Sequence, residues 1–208
     1  MKELLIFPFN GNGLEALSCL KNNKDYSFVG FIDDTTEKQG VHPLGFQVYD
    51  KTALSKFPNA EVLAVPGSPQ SFQIRAQIIA QLKIERQRFA TLIHPSANVS
   101  EYAKIGKNVL IMAGVCITSN AIIEDHVCIL PNTVVHHDSK IGNYTLIGSN
   151  VTVAGNTEIG NNCYIGSGSS IINNISIGNH VLIGMGTNVI RNIEQGTKVV
   201  GNPARTIS

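Results

Sequence analysis

The chain has 208 residues and a formal net charge of +1, with 43% hydrophobic and 15% charged residues, against about 25% charged in an average soluble domain. So even a balance excludes a basic nucleic-acid binder and an acidic disordered tail, and no run of 18 apolar residues is present to cross a membrane as a helix. The length suits one large domain or two small ones, and four cysteines without a CxxC or a metal-type cluster fit a reduced, cytosolic compartment.

Met1 to Phe9 contains Glu3 and lacks a cleavage site, so it reads as a first strand rather than a targeting segment. Its core, Leu4 to Pro8, is followed by Asn10-Gly11-Asn12-Gly13, and then Leu14 to Lys21 has helical character. Tyr26 to Ile32 predicts a second strand ending at Asp33-Asp34. Val62 to Val65 predicts a third ending at Gly67, and Ser71 to Leu82 predicts a helix. Strands alternating with helices point to a parallel sheet. Ligands sit at the carboxyl ends of such strands, which selects the loops Asn10–Gly13, Asp33-Asp34 and Gly67-Ser68. Carboxylates after the second strand can hydrogen-bond a ribose or base. The two loop glycines fall short of a dinucleotide fingerprint and serve equally as a tight turn. The space before residue 89 fits a mononucleotide or nucleotide-sugar better than NAD.

A strict repeat fills the second half. From Ile93 in steps of six, every position through Val189 is Ile or Val, seventeen in succession, and Gln195 is the first failure. Neither a helix of period 3.6 nor an alternating strand gives that period. Gly follows the β-branched residue at Gly106, Gly142, Gly148, Gly160, Gly166, Gly178 and Gly184, with Asn and Asp next. Each unit is thus a short strand and a corner tolerant of left-handed backbone. Small or β-branched residues two positions before each repeat residue, such as Val109, Thr133, Thr145 and Cys163, point inward with it. A single strand cannot bury this face, but stacked coils can. The pattern resembles the left-handed parallel β-helix of the hexapeptide acyltransferases, three hexapeptides to an 18-residue coil. The residues give an α/β domain over residues 1–88 and stacked coils over 89–208, which the resemblance makes an all-β left-handed parallel β-helix.

The residue before each repeat position points outward, which sorts the coil into three faces. Only one is apolar from end to end: Leu92, Leu110, Cys128, Leu146, Tyr164 and Leu182. An apolar stripe of that length calls for cover. The expected cover is a second copy of the chain, and the resemblance makes the assembly a homotrimer.

Phe31-Ile32-Asp33-Asp34, Leu92-Ile93-His94-Pro95-Ser96-Ala97, Val134-Val135-His136-His137-Asp138 and Gly201-Asn202-Pro203-Ala204-Arg205 extend the likeness to nearly the whole chain. Together they resemble the bacterial nucleotide-sugar acetyltransferases of the UDP-4-amino-sugar N-acetyltransferase and sialic acid O-acetyltransferase family. That resemblance implies a Rossmann-like first domain, acetyl-CoA as co-substrate with no metal, and a nucleotide-linked amino sugar as acceptor. It makes His137 the general base, Asp138 its acidic neighbour and Gly155 the backbone donor to the acetyl oxygen. Acetyl-CoA positions fall on Leu146, Gly155, Ser167 and Met185, and the nucleotide-sugar on Asn10, Gly11, Asn12, Gly13, Asp33, Asp34 and Gly67. Histidine suits the task because it titrates near neutrality. Gly155 lies one coil above His137, about 4.8 Å away at strand spacing. Arg191, Lys198 and Arg205 are cationic candidates for the CoA phosphates, whereas His126 and His180 read as single corner residues at the surface.

Three positions depart from the family. Leu130 and Leu146 stand where some members carry an Asn and a second His, and His136 stands where an acid precedes the base. O-acetylation of a sugar such as sialic acid is the close alternative, and a non-catalytic β-helix binding module the distant one. A zinc hydratase on the same coil would need a His-x4-His pair, which is absent.

Overall fold

A computed structural model describes residues 1–207. Strand β1 (Lys2–Phe7) is buried over its last four residues and lies mid-sheet. Helix α1 (Gly11–Ala16) begins where the Asn10 side chain accepts a hydrogen bond from the Gly13 N–H at 2.8 Å. That cap starts the helix earlier than the apolar pattern from Leu14 predicts. The chain then tightens into a 3-10 turn over Leu17–Leu20. Next come β2 (Tyr26–Ile32), a hairpin of β3 (Gly40–Val41) and β4 (Gln47–Tyr49), the single-turn α2 (Ala53–Lys56), β5 (Glu61–Ala64) and α3 (Arg75–Ala80). The sheet order is β3-β4-β2-β1-β5, with every pairing parallel except β3 to β4. The loops after β1, β2 and β5 therefore share one edge, as the strand-helix alternation predicts.

From Leu92 the chain winds as a left-handed parallel β-helix of two-residue strands. Each strand pairs in parallel with the strand 18 residues on, building three sheets: Leu110 on Cys128, Cys116 on Val134 and Ile122 on Lys140. The Ile and Val ladder fills the interior, and the inward hydroxyls satisfy backbone groups there. Thr133 Oγ1 donates to the Gly148 carbonyl at 2.7 Å and Thr145 Oγ1 to that of Gly160 at 2.8 Å. Corners carry Asn and Asp in the left-handed region, Asn120 at φ 60° and Asp138 at φ 59° among them, where these short polar side chains are tolerated. The repeat fails at Gln195 because the last coil is two residues short: Ile177 pairs with Ile193 and Ile183 with Val199. Lys198–Val200 and Arg205–Ile207 then form an antiparallel pair on the first face. The Gly201–Arg205 turn closes the second face, with Asn188 N–H bonded to Gly201 O and Ala204 N–H to Asn188 O. This shields sheet edges that would otherwise pair with other chains. Among the described residues no helix is long and apolar enough to cross a membrane.

Most of the apolar stripe is covered within one chain. Leu92, Leu110, Cys128 and Leu146 are buried within one chain, in a core shared with Leu4, Ile6, Cys19 and Phe31 of the α/β unit. Gly67 packs so closely on Leu146 that a Cβ there would lie 2.6 Å from Leu146 Cδ1. Phe72 meets Tyr164 with ring centroids 6.2 Å apart. For Leu92, Leu110, Cys128 and Leu146 the expected cover by a second copy is replaced by the chain's own first half, whereas Tyr164 and Leu182 stay half-buried. A long outward apolar stripe demands burial, and here the chain's own first half supplies it. Each buried Leu gains about 1.5–3 kcal/mol from leaving water.

Polar contacts fix the orientation of that packing. The Asn108 amide accepts from the Ala64 N–H at 2.7 Å and donates to the Ala64 carbonyl at 2.8 Å, capping the free edge of β5 as a neighbouring strand would. Asn162 Nδ2 donates to the carbonyls of Phe72 and Gln73. Asn108→Ala strands both backbone groups of Ala64 in a buried place. It should lower unfolding free energy by roughly 2–4 kcal/mol, read as a drop in the urea midpoint at unchanged slope.

Candidate active site

His137 and Asp138 form the corner that follows the second-face strand Val134–Val135. At φ 59° Asp138 turns the chain and swings its carboxylate back, with Oδ2 2.7 Å from His137 Nδ1. Asp138 Oδ1 accepts from Asn120 Nδ2 at 3.0 Å, one coil below. The hydrogen bond with His137 first, and that from Asn120 second, hold the Asp138 carboxyl below the usual range. A carboxylate at Nδ1 keeps the proton on that nitrogen and leaves Nε2 with its lone pair. One coil above, a Cβ on Gly155 would lie 2.7 Å from both Cε1 and Nε2 of the ring. The imidazole thus lies against bare backbone, a contact only glycine permits. Its side chain is 63% exposed, open to a substrate. The pair can take a proton at Nε2 beside a backbone segment that a carbonyl can approach.

The predicted binding residues lie elsewhere. Ser167 and Met185 follow first-face strands, one face away from His137. Ser167 Oγ accepts from the Ser149 N–H at 3.1 Å, and Met185 is 75% exposed. Leu146 is buried and lines a cavity of about 250 Å³ with Leu130 and Gly148 of the coil and Asn12, Gly67 and Ser68 of the α/β unit. Of the expected acetyl-CoA residues, only Gly155 touches the base within one chain. Arg191, Lys198 and Arg205 are all exposed near the end of the coil.

A second cleft, of about 520 Å³, opens at the carboxyl ends of β1, β2 and β5 and contains Asp33, Asp34, Lys38, Lys51 and Gly67. Both acids are paired: Asp33 with Lys38 at 2.9 Å and Asp34 with Lys51 at 2.6 Å. Burial pushes the Asp33 carboxyl up, but hydrogen bonds from Lys38 and Thr35 outweigh it and the net shift is downward. The cleft therefore presents carboxylates together with ammonium groups. In the first loop Asn10 caps α1, Gly13 packs on the Pro8 carbonyl, Gly11 is open to solvent and Asn12 reaches the smaller cavity.

The family described as "Bacterial transferase hexapeptide (six repeats)" matches residues 102–137, 120–155, 138–173 and 156–191. The second half is a hexapeptide-repeat coil. Among solved structures, the acetyltransferase domain of PglB from Neisseria gonorrhoeae is similar over 100% of both chains at 27% identity, with a TM-score of 0.83. The same domain in complex with acetyl coenzyme A is 26% identical over 99% of both chains, with a TM-score of 0.85. A variant of perosamine N-acetyltransferase from Caulobacter crescentus, in complex with CoA and GDP-perosamine, is 22% identical over 100% of this chain and 97% of that one. Its TM-score of 0.87 establishes likeness of fold. The whole chain thus has the fold of bacterial sugar acetyltransferases. No curated protein matches the sequence.

Sequence reasoning missed how the hexapeptide coil meets the α/β unit. His126, expected at the surface, is buried at the corner after the third face. Its ring stacks on Tyr144 at 4.5 Å and 3°, meets Phe89 edge-on at 5.0 Å, and places Nδ1 2.9 Å from Asn108 Nδ2. Burial first, then the Arg75 charge, holds its imidazole down at about 4. Arg75 is fully buried, with Nε donating to the Pro66 carbonyl at 2.6 Å and Nη1 donating to the His126 carbonyl. The available signal was Asn108, His126, Tyr144 and Asn162 at 18-residue intervals, a column of docking side chains on one corner.

Proposed function

We propose that the protein is an acetyl-CoA-dependent N-acetyltransferase of a nucleotide-linked amino sugar, a 4-amino-4,6-dideoxy sugar used in surface polysaccharide or glycan assembly. The observation that carries this reading is the His137–Asp138 pair lying against Gly155, on a fold shared end to end with an acetyltransferase domain. His137 Nε2 removes a proton from the amine as its nitrogen attacks the thioester carbonyl. The backbone at Gly155 stabilises the oxyanion. Collapse of the tetrahedral adduct forms the amide and expels the CoA thiolate, which takes up the proton. The cleft at the ends of β1, β2 and β5 holds the nucleotide, with the sugar directed toward the cavity at Asn12 and Gly67.

On one chain that cavity, with Ser167 and Met185, is separated from His137 by the second face. This separation favours a homotrimer of closed threefold symmetry, in which the base corner of one copy meets the cavity of the next. Four free cysteines suit the reducing cytoplasm.

The test is thiol release from acetyl-CoA with UDP-, GDP- and dTDP-linked 4-amino sugars and with free sialic acid as acceptors, alongside sedimentation equilibrium. The expected result is turnover on one amino sugar by a species of three chains. Turnover on the hydroxyl acceptor alone makes the enzyme an O-acetyltransferase. No release with any acceptor, from a folded assembly, overturns the catalytic reading.

A further inference from the structure

The corner that carries the base contains a residue that neither the family motif nor the sequence pattern marks. We infer that Asn120 is a positioning residue, whose amide fixes the Asp138 carboxylate so that one oxygen is committed to His137. The inference rests on the reading of His137 as the base.

The geometry is a relay along one corner of two successive coils. Asn120 and Asp138 are 18 residues apart, at φ 60° and 59°, so their side chains leave the backbone in the same direction, one above the other. Asn120 Nδ2 donates to Oδ1 of Asp138 at 3.0 Å, and Oδ2 faces His137 Nδ1 at 2.7 Å. Each carboxylate oxygen therefore has its own protein donor, in a group whose side chain is 49% exposed. Without Asn120 that carboxylate could rotate and exchange Nδ1–H for water. The tautomer that keeps the Nε2 lone pair would then lose its anchor, because the second-line partner sets which ring nitrogen is protonated. Among the described residues, His137 and Asn120 are the two side chains that hydrogen-bond the Asp138 carboxylate.

The same corner supplies a matched control. Two coils higher, Asn156 Nδ2 donates to Asn174 Oδ1 at 2.8 Å, with both residues again left-handed, at φ 56° and 60°. That pair has the same backbone shape and the same ladder bond, but no titratable group. Asn174→Ala thus carries the backbone and ladder costs of Asn120→Ala without touching the relay.

The experiment compares wild type, Asn120→Ala, Asn120→Asp and Asn174→Ala by carboxyl carbon NMR titration of Asp138, imidazole nitrogen NMR of His137 and the pH profile of kcat/KM. Loss of the His137 signals in His137→Gln provides the assignment. In Asn120→Ala the Asp138 midpoint should rise toward the ordinary carboxylate range and the Nδ1–H tautomer fraction should fall. kcat/KM should drop about tenfold, the scale of one hydrogen bond to a charged group. Asn120→Asp, which sets a like charge against Asp138, should raise the midpoint further. Asn174→Ala should move none of these, while lowering the melting temperature as much as Asn120→Ala does. An unmoved Asp138 midpoint in Asn120→Ala, or equal changes in Asn174→Ala, overturns the inference and leaves Asn120 a coil-ladder amide. If the midpoint moves but wild type releases no thiol from acetyl-CoA, the acetyltransferase reading fails and the positioning role stands.

Discussion

His137→Gln should lower kcat for acetyl transfer by about 10²–10⁴, the usual contribution of a positioned base, with the melting temperature unchanged. Glutamine is close in volume to the imidazole, and the side chain it replaces is mostly exposed, so packing is preserved. Gly155→Ala reaches the same site from the other side. Gly155 has no left-handed backbone to lose, so the cost lies in the Cβ placed 2.7 Å from the ring. The imidazole must turn away and stretch its 2.7 Å contact with Asp138. A misplacement of that size costs about 10²-fold in rate. Because both variants disable one proton-transfer unit, His137→Gln/Gly155→Ala should be scarcely worse than His137→Gln alone. Steady-state thiol release and thermal melts on the three proteins check this, and additive losses would separate Gly155 from the base.

Mild acid should loosen the joint between the two halves. His126 titrates at about 4 in the folded chain against an ordinary 6.5. A histidine buried neutral must be protonated for the unfolded state to gain, so its contribution to stability is complete above pH 6.5. It is lost progressively as the pH falls toward 4. The difference caps that loss at about 3 kcal/mol. Asp33, Glu61 and Asp125 have folded values below their ordinary ones. Their contributions are retained until the pH reaches the carboxylate range, so the two windows separate. Urea unfolding at pH 7.5 and 4.5 should therefore show a marked loss in wild type and a much smaller one in His126→Gln. Equal losses would place the acid sensitivity elsewhere.

The coil was legible because its signal repeats: a fixed step of six, two inward positions per unit and polar corners point to stacked coils, and the resemblance supplied their left hand. The stacking of Gly155 on His137 was legible because sequence separation in a coil is also vertical distance, whereas the roles given to His137 and Asp138 came from the resemblance. The cover of the apolar stripe was not legible. Leu92, Leu110, Cys128 and Leu146 announce that something must lie on them, but a hydrophobic surface does not name its partner. Asp33 and Asp34 were found at the right strand end, whereas Lys38 and Lys51, which neutralise them, come from loops of no fixed period. The β3–β4 hairpin escaped because its strands are two and three residues long.

The 18-residue coil also acts as a ruler with a strict modulus. Asn120, Asp138 and Asn156 share a vertical line, as do His137 and Gly155, only because whole turns separate them. One residue inserted between Asp138 and Ala154 would carry Gly155 off the ring and turn inward side chains out through every later coil. Eighteen residues inserted after Val189 would lengthen the rod and leave the corner untouched. Length changes in this half should therefore be tolerated in whole turns or at the corners, where an extra loop leaves the stack in register.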